Sequence, residues 1–261
     1  MTAAMLDAIA AELQHARHLL FITGAGISAD SGLPTYRGIG GLYEEELTAE
    51  GLSIEEALSG PMLFQHPEIT WKYLHQIEKT CRGAKPNLAH AFIAELENLG
   101  KRVTVFTQNI DGLHREAGSS EVIEIHGRLH HLHCTGCSYE RDVDSFAGLE
   151  LPPLCPRCLS LIRPRVVLFG ESLPEAELEQ LVETLESGPD MVFSIGTSSL
   201  FPYVAEPVLW AAHQGITTVE INPGSTPVTP YVSHHLPLGA ALALGELKER
   251  LRRVPDAHGQ A

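Results

Sequence analysis

The chain has 261 residues, 44% of them hydrophobic and 20% charged, and carries a formal net charge of −15. That length accommodates one elaborate domain, or a main domain with a smaller insert. The acidic balance argues against direct nucleic-acid binding and suits lysine-bearing partners, while the absence of an apolar run of about eighteen residues argues against a membrane span.

The opening segment, MTAAMLDAIAAELQHARHLL, lacks a basic start, apolar core and small-residue cleavage site, so no secretory signal is expected. It predicts a helix with Met5, Ile9, Leu13 and Ala16 on one stripe. Short apolar runs recur at His18–Thr23, Val103–Thr107, Val122–Ile125, Val166–Phe169, Met191–Ile195 and Thr217–Ile221, and several of them read as buried strands. Helical patterns at Leu88–Leu99, Glu175–Leu185 and Tyr203–Gln214 separate some of them. The alternation predicts an α/β fold: a Rossmann-like parallel sheet with helices on both faces and ligands beyond the carboxyl ends of its strands. Polar or glycine clusters stand at those ends: Gly24–Gly26, Gln108–Asp111, His126-Gly127, Gly196–Ser198 and Asn222–Gly224. They converge on one crevice if the topology holds.

Two segments interrupt the alternation. Residues 39–86 predict a helical excursion, and residues 128–163 a small cysteine-bearing module. The parallel-sheet body is then 1–38, 87–127 and 164–261, with residues 254–261 expected to fray.

Cys134-Thr-Gly-Cys137 and Cys155-Pro-Arg-Cys158 are two CxxC knuckles seventeen residues apart. The pattern predicts a tetrahedral Zn²⁺ site in preference to redox dithiols or unpaired buried thiols. With all four ligand positions filled by protein, the metal is structural. His130, His131 and His133 are read as ordinary polar residues of a connecting strand, and Cys81 receives no role. Cysteines without a signal peptide point to a reducing, cytoplasmic setting.

Gly24-Ala25-Gly26 permits close approach of a phosphate, although such a motif alone is often only a tight turn. A dehydrogenase would continue into a full helix, a second strand and an acidic strand end about twenty residues on. Here Gly32 and Pro34 interrupt, and no strand pattern precedes Glu44–Glu46, so a dehydrogenase is disfavoured. Asn109 and Asp111 read as turn formers or crevice residues, and His126 as a hydrogen-bonded core histidine or a general base.

Taken in order, GAGISADSGLPTYRG, TQNIDGLH, EIHG, the two knuckles, RPRVVLFGE and GTSS resemble the sirtuin family of NAD-dependent protein lysine deacylases, over about His18 to Leu251. The resemblance implies a cleft between a Rossmann-type domain and a zinc-binding domain, entered by NAD and an acyl-lysine peptide. Gly24, Ala25, Gly26 and Ser28 would hold the pyrophosphate, with Gly196, Thr197 and Ser198 on the same nucleotide. Asn222 and Pro223 would lie at the adenosine ribose, and Ala241 near the adenine. Asn109 would position the nicotinamide ribose, Ile110 and Asp111 would receive the carboxamide, and Thr35, Tyr36, Arg37 and Gln108 would line that end. His126 would be the base, taking a proton from the ribose hydroxyls after the acyl oxygen has captured C1′. The implied products are nicotinamide, 2′-O-acyl-ADP-ribose and free lysine. Val167, Leu168, Phe169, Gly170 and Glu171 would wall the lysine tunnel and offer an edge strand to the peptide. Two other activities remain open: protein mono-ADP-ribosylation at the same NAD site, and non-catalytic NAD or acyl-lysine binding. The RPRVVLFGE wall weighs against the first, and the joint presence of His126, Asn109 and Asp111 against the second.

Thr35 and the RP-x-VV-x-FGE form resemble the branch that removes succinyl and malonyl groups by a Tyr/Arg pair three residues apart. Leu74 and Ile77 occupy those two positions here. Ile77 cannot pair a carboxylate, so acetyl or longer apolar acyl groups are expected over succinyl, with Lys72 and His75 as nearby substitutes for the missing pair.

Overall fold

The structure, a computed structural model, describes residues 2–34 and 47–253. Thr35, Tyr36 and Arg37 of the expected cofactor site, and the tail Val254–Ala261, lie outside the described residues.

Helix α1 (Thr2–His15) buries Leu6, Ile9, Ala10 and Leu13, as its stripe requires. Strand β1 (His18–Thr23) is buried at every position, as a central strand covered on both faces must be. Two short 3₁₀ turns, Ala25–Ile27 and Ala29–Ser31, follow it in place of a long helix and end at Gly32. Then come α2 (Ile54–Ala57), with a Ser53/Glu56 capping box, α3 (Gly60–Gln65), capped by Ser59, and α4 (Pro67–Cys81). Helix α5 (Leu88–Asn98), capped by Asn87, leads to β2 (Arg102–Thr107), α6 (Leu113–Glu116) and β3 (Glu121–Glu124). Strands β4 (Gly127–Cys134), β5 (Glu140–Asp142) and β6 (Ile162–Val166) precede α7 (Glu175–Glu186). The chain continues through β7 (Met191–Ile195), α8 (Pro202–His213), β8 (Thr217–Ile221), β9 (His234–Leu236) and α9 (Ala240–Arg253).

Six of these strands form a parallel sheet in the order β3-β2-β1-β7-β8-β9. Counted within that sheet the order is 3-2-1-4-5-6, that of the doubly wound nucleotide-binding fold, and the direction of winding reverses between β1 and β7. Leucines and isoleucines of α1, α5 and α9 pack on one face. On the other face Leu20, Ile22 and Phe106 of the sheet meet Leu181 of α7 and Val204 and Val208 of α8.

One expected strand is corrected. The apolar run Val166–Phe169 does not join the parallel sheet; the strand is β6, ending at Val166, and it lies antiparallel to β4 in a three-stranded sheet ordered β5-β4-β6. The physical reason lies in Arg165, which is exposed and so tolerable in a sheet wet on one face but not in one covered on both. The sixth parallel strand is instead the three-residue β9, whose short edge position needs little apolar patterning.

The two excursions leave the sheet after the carboxyl ends of β1 and β3, and therefore on the same side. They share one core, in which Trp71, Tyr73, Leu74 and Ile77 of α4 pack with Leu129, Leu132 and Ile162 of the small sheet. Trp71 is fully buried, its ring 5.3 Å from that of Phe146, and its indole N–H donates to the Ile162 carbonyl at 3.0 Å. That bond satisfies the one polar atom of the largest side chain in the core.

Candidate active site and metal centre

The tips of β1 and β7 meet where the winding reverses. Gly24 N–H donates to the Ile195 carbonyl at 3.0 Å and Gly26 N–H to the Gly196 carbonyl at 2.8 Å. A Cβ on Gly26 would stand 2.6 Å from Gly196 Cα, and one on Gly196, whose φ is +60°, 2.5 Å from the Gly26 carbonyl carbon. Only glycine fits at either position, so the two loops close into one backbone-lined floor. Ala25 lies in the first 3₁₀ turn, between the two glycines.

The other expected crevice residues bind to this floor. Ser28, buried, donates its hydroxyl proton to Asp111 Oδ2 at 2.7 Å and accepts from Asn109 Nδ2 at 3.2 Å. The same Nδ2 donates to the Gly24 carbonyl at 3.2 Å, and Asp111 Oδ1 accepts from Leu113 N–H at 3.0 Å. Gln108 Nε2 donates to Thr197 Oγ1 at 3.2 Å, and Asn222 Nδ2 to the Thr197 carbonyl at 2.8 Å. The tips of β1, β2, β7 and β8 are thereby tied together by side chains. Ser198 and Pro223 are exposed beside them, and Ala241 N–H donates to Asp30 Oδ2 at 3.1 Å, which brings the start of α9 to the second 3₁₀ turn. Ile110 turns to the small sheet, where its carbonyl accepts from Leu129 N–H at 3.2 Å.

His126 follows β3. Its Nδ1 lies 2.9 Å from the Gln108 carbonyl and its Nε2 2.9 Å from the Tyr203 hydroxyl. A carbonyl only accepts, so Nδ1 carries the ring proton and Nε2 the lone pair. Burial holds the imidazole pKa below its ordinary value, partly offset by the Gln108 bond, so the ring is neutral and able to accept a proton near neutral pH. Tyr203 was not expected at the site: it stands 77 positions away in sequence, and nothing local to it announces the contact. The buried pair His90 and His114, with ring centroids 4.9 Å apart, also escaped the sequence. His90 sits behind Ser28 and His114 behind Thr23.

The four knuckle cysteines meet at the open end of the small sheet. Their sulfurs all lie within 4.8 Å of one another, with Cys134–Cys158 at 3.4 Å and Cys137–Cys155 at 3.6 Å. A tetrahedral Zn²⁺ with bonds of about 2.3 Å has S···S edges of about 3.8 Å, so the donor set fits that ion. Gly136 N–H and Arg157 N–H donate to the Cys134 and Cys155 sulfurs, at 3.3 and 3.4 Å. The ion would be held by protein on all four sides and would supply cross-linking, with no position left for water.

Residues 24–201 match the model of the Sir2 family. The chain belongs to the Sir2 family. It is 50% identical over 246 residues to NAD-dependent protein deacylase 2 of Pseudomonas syringae pv. tomato, covering 93% of this chain and 98% of that one. A Sir2 homologue solved as an NAD complex superposes with a TM-score of 0.84 at 36% identity, covering 94% of this chain and 93% of the other. A Sir2 variant with a deacetylated p53 peptide and 3′-O-acetyl ADP ribose gives 0.83 at 31% identity, covering 94% and 97%.

In this Sir2-family chain Val167–Glu171 continues from β6 past His126. Val167 N–H donates to the His126 carbonyl at 3.0 Å, which ties this segment to the histidine. Phe169 exchanges backbone bonds with the segment before α3, donating to the Leu58 carbonyl at 3.0 Å and accepting from Gly60 N–H at 3.1 Å. Glu171 folds inward: Arg163 donates to both carboxylate oxygens, at 2.5 and 2.8 Å, and Leu168 N–H to one of them at 2.8 Å. Its observed work is to lock the turn that includes Gly170. Leu74 and Ile77 are buried in the shared core. Lys72 is ion-paired to Glu50 at 2.6 Å, and the Tyr73 hydroxyl donates to the same carboxylate. No helix among the described residues is long and apolar enough to cross a membrane.

Proposed function

We propose that the chain is an NAD-dependent protein lysine deacylase that yields nicotinamide, 2′-O-acyl-ADP-ribose and free lysine. The observation that carries it is His126: a neutral imidazole with its lone pair on Nε2, beside a floor of glycines and a Ser28–Asp111–Asn109 network at the switch point of a parallel sheet. NAD supplies the bond that breaks, between nicotinamide and ribose.

The chain's own groups divide the remaining work. Gly24, Ala25, Gly26 and Ser28 with Gly196, Thr197 and Ser198 take the pyrophosphate, where absent Cβ atoms allow backbone approach. Asn222 and Pro223 face the adenosine ribose, and Ala241 the adenine. Asn109 and Asp111, held rigid by Ser28, orient the nicotinamide end, with Ile110, Gln108 and, outside the described residues, Thr35, Tyr36 and Arg37. His126 takes the proton of a ribose hydroxyl, help worth about 10²–10⁴-fold. Val167–Phe169 lines the peptide side, with Gly170 and Glu171 holding its turn. Because Ile77 carries no charge and Lys72 is already paired to Glu50, the acyl group favoured is acetyl or a longer apolar chain. The net charge of −15 favours lysine-bearing partners over nucleic acid, and thiolate ligands suit a reducing cytoplasm.

Mixing the protein with NAD and an acetyl-lysine peptide tests the assignment, with nicotinamide and peptide followed by mass. Stoichiometric release of both products is expected. ADP-ribose attached to protein would move the assignment to transfer, and no turnover to a binding module. Desuccinylation as fast as deacetylation would overturn the acyl preference.

A further inference from the structure

The lone pair of His126 is not open to the crevice. Tyr203, the second residue of α8, places its hydroxyl 2.9 Å from Nε2, with the two rings edge to face at 74°. Since Nδ1 is committed as a donor to the Gln108 carbonyl, the phenol must be the donor to Nε2. The Tyr203 ring is itself held, stacked on Phe201 with centroids 5.5 Å apart and packed against the apolar core under α8. A neutral imidazole has a single in-plane lone pair for a proton to reach. In this chain that lone pair is filled by the half-buried Tyr203 side chain.

We propose that Tyr203 is a catalytic proton relay: the ribose hydroxyl passes its proton to the Tyr203 oxygen as Tyr203 passes its own to His126 Nε2. The inference rests on the deacylase assignment. The step balances. The ribose O–H bond breaks and its electron pair stays on the attacking oxygen. One O–H bond forms and another breaks on Tyr203, which ends neutral, and the new N–H bond leaves His126 as imidazolium. Burial pushes the Tyr203 pKa up to about 12, so the phenol keeps a proton to give throughout the neutral range and no free phenolate is needed. After the transfer the imidazolium Nε2–H faces the Tyr203 oxygen, an acceptor already in place. A base whose lone pair merely waited for substrate would have no reason to be capped by an anchored phenol.

Tyr203→Phe is the test, because it removes one oxygen and keeps the ring on Phe201. Two rates are compared in wild type and variant: complete deacetylation of an acetyl-lysine peptide, and exchange of labelled nicotinamide into NAD. Exchange reads only the steps before the base acts. The relay requires deacetylation to fall about 10- to 100-fold, a part of what a general base contributes, with exchange within about twofold of wild type and the thermal midpoint unchanged. Deacetylation unchanged or faster would overturn it, since the phenol would then be an occupant that substrate displaces. A parallel loss of exchange and deacetylation would also overturn it, by assigning Tyr203 to building the site. If wild type performs neither reaction, the deacylase assignment itself fails and the relay falls with it. Wild-type activity with an unaffected variant sinks the relay alone.

Discussion

The parallel-sheet body and the small cysteine-bearing sheet bury their interiors by different means. In the body, β1 and β7 are buried at every position and helices cover both faces, so stability is spread over two large apolar clusters. In the small sheet, β5 is exposed throughout, and one flank rests on α2–α4 while the other ends at four sulfurs. The contrast separates fold from chemistry. The crevice residues stand at the strand tips of the body, whereas the module adds four sulfurs to its shared apolar core and leads from β6 into the segment bonded to His126.

The sharpest way to break that contrast is at the metal. Cys155→Ser, or a strong chelator, should empty the zinc site and unfold the module, because structural Zn²⁺ in small domains contributes about 10–16 kcal/mol. Metal analysis should show zinc lost, and hydrogen exchange should show protection lost over residues 127–166 but kept in β1, β2 and β7. Equal loss in both regions would mean that the body is not independent.

The converse change is His126→Ala. Turnover should fall by about 10²–10⁴-fold while NAD still raises the thermal midpoint. Failure of NAD to stabilise the variant would show that the crevice is more than chemistry.

Glu171→Gln lies between the regions. Among the described residues it leaves the Arg163 guanidinium, 7% exposed, without a charged partner, and should cost about 2–3 kcal/mol. Peptide KM should rise more than kcat falls, because the turn after Val167–Phe169 loosens.

A smaller effect belongs to the body. Burial, with His90 nearby, pushes the His114 pKa down from 6.5 to about 3. The unfolded chain therefore takes up a proton that the folded one refuses. The stability is complete above the unfolded value and is lost as pH falls from there toward the folded one. By pH 5 this site alone should cost about 2 kcal/mol. In urea melts at pH 7 and pH 5, His114→Gln should lose that much less between the two pH values than wild type does.

Much of this was legible in the chain itself. Periodicity gave α5, α7 and α8 to within a residue or so, because long amphipathic patterns dominate local choice. The CxxC spacing predicted four converging sulfurs, since each knuckle brings its own pair together. Glycine and polar clusters after the apolar runs marked the crevice. What misled was the run at Val166–Phe169: an apolar stretch that short does not say which sheet it joins, and the exposure of Arg165 was decisive only once β4 was seen beside it. Strand β9, three residues long with two histidines, left no pattern to read.

By itself, then, the sequence determined the alternation of strands and helices, the metal ligands and the residue types of the crevice, because local backbone preference and ligand spacing act over a few positions. Tertiary structure alone decided that the two excursions share one core around Trp71, that Glu171 turns inward to Arg163, and that Tyr203 caps His126. Those are contacts between side chains far apart in sequence, set by how strands and helices pack, and no local pattern encodes them.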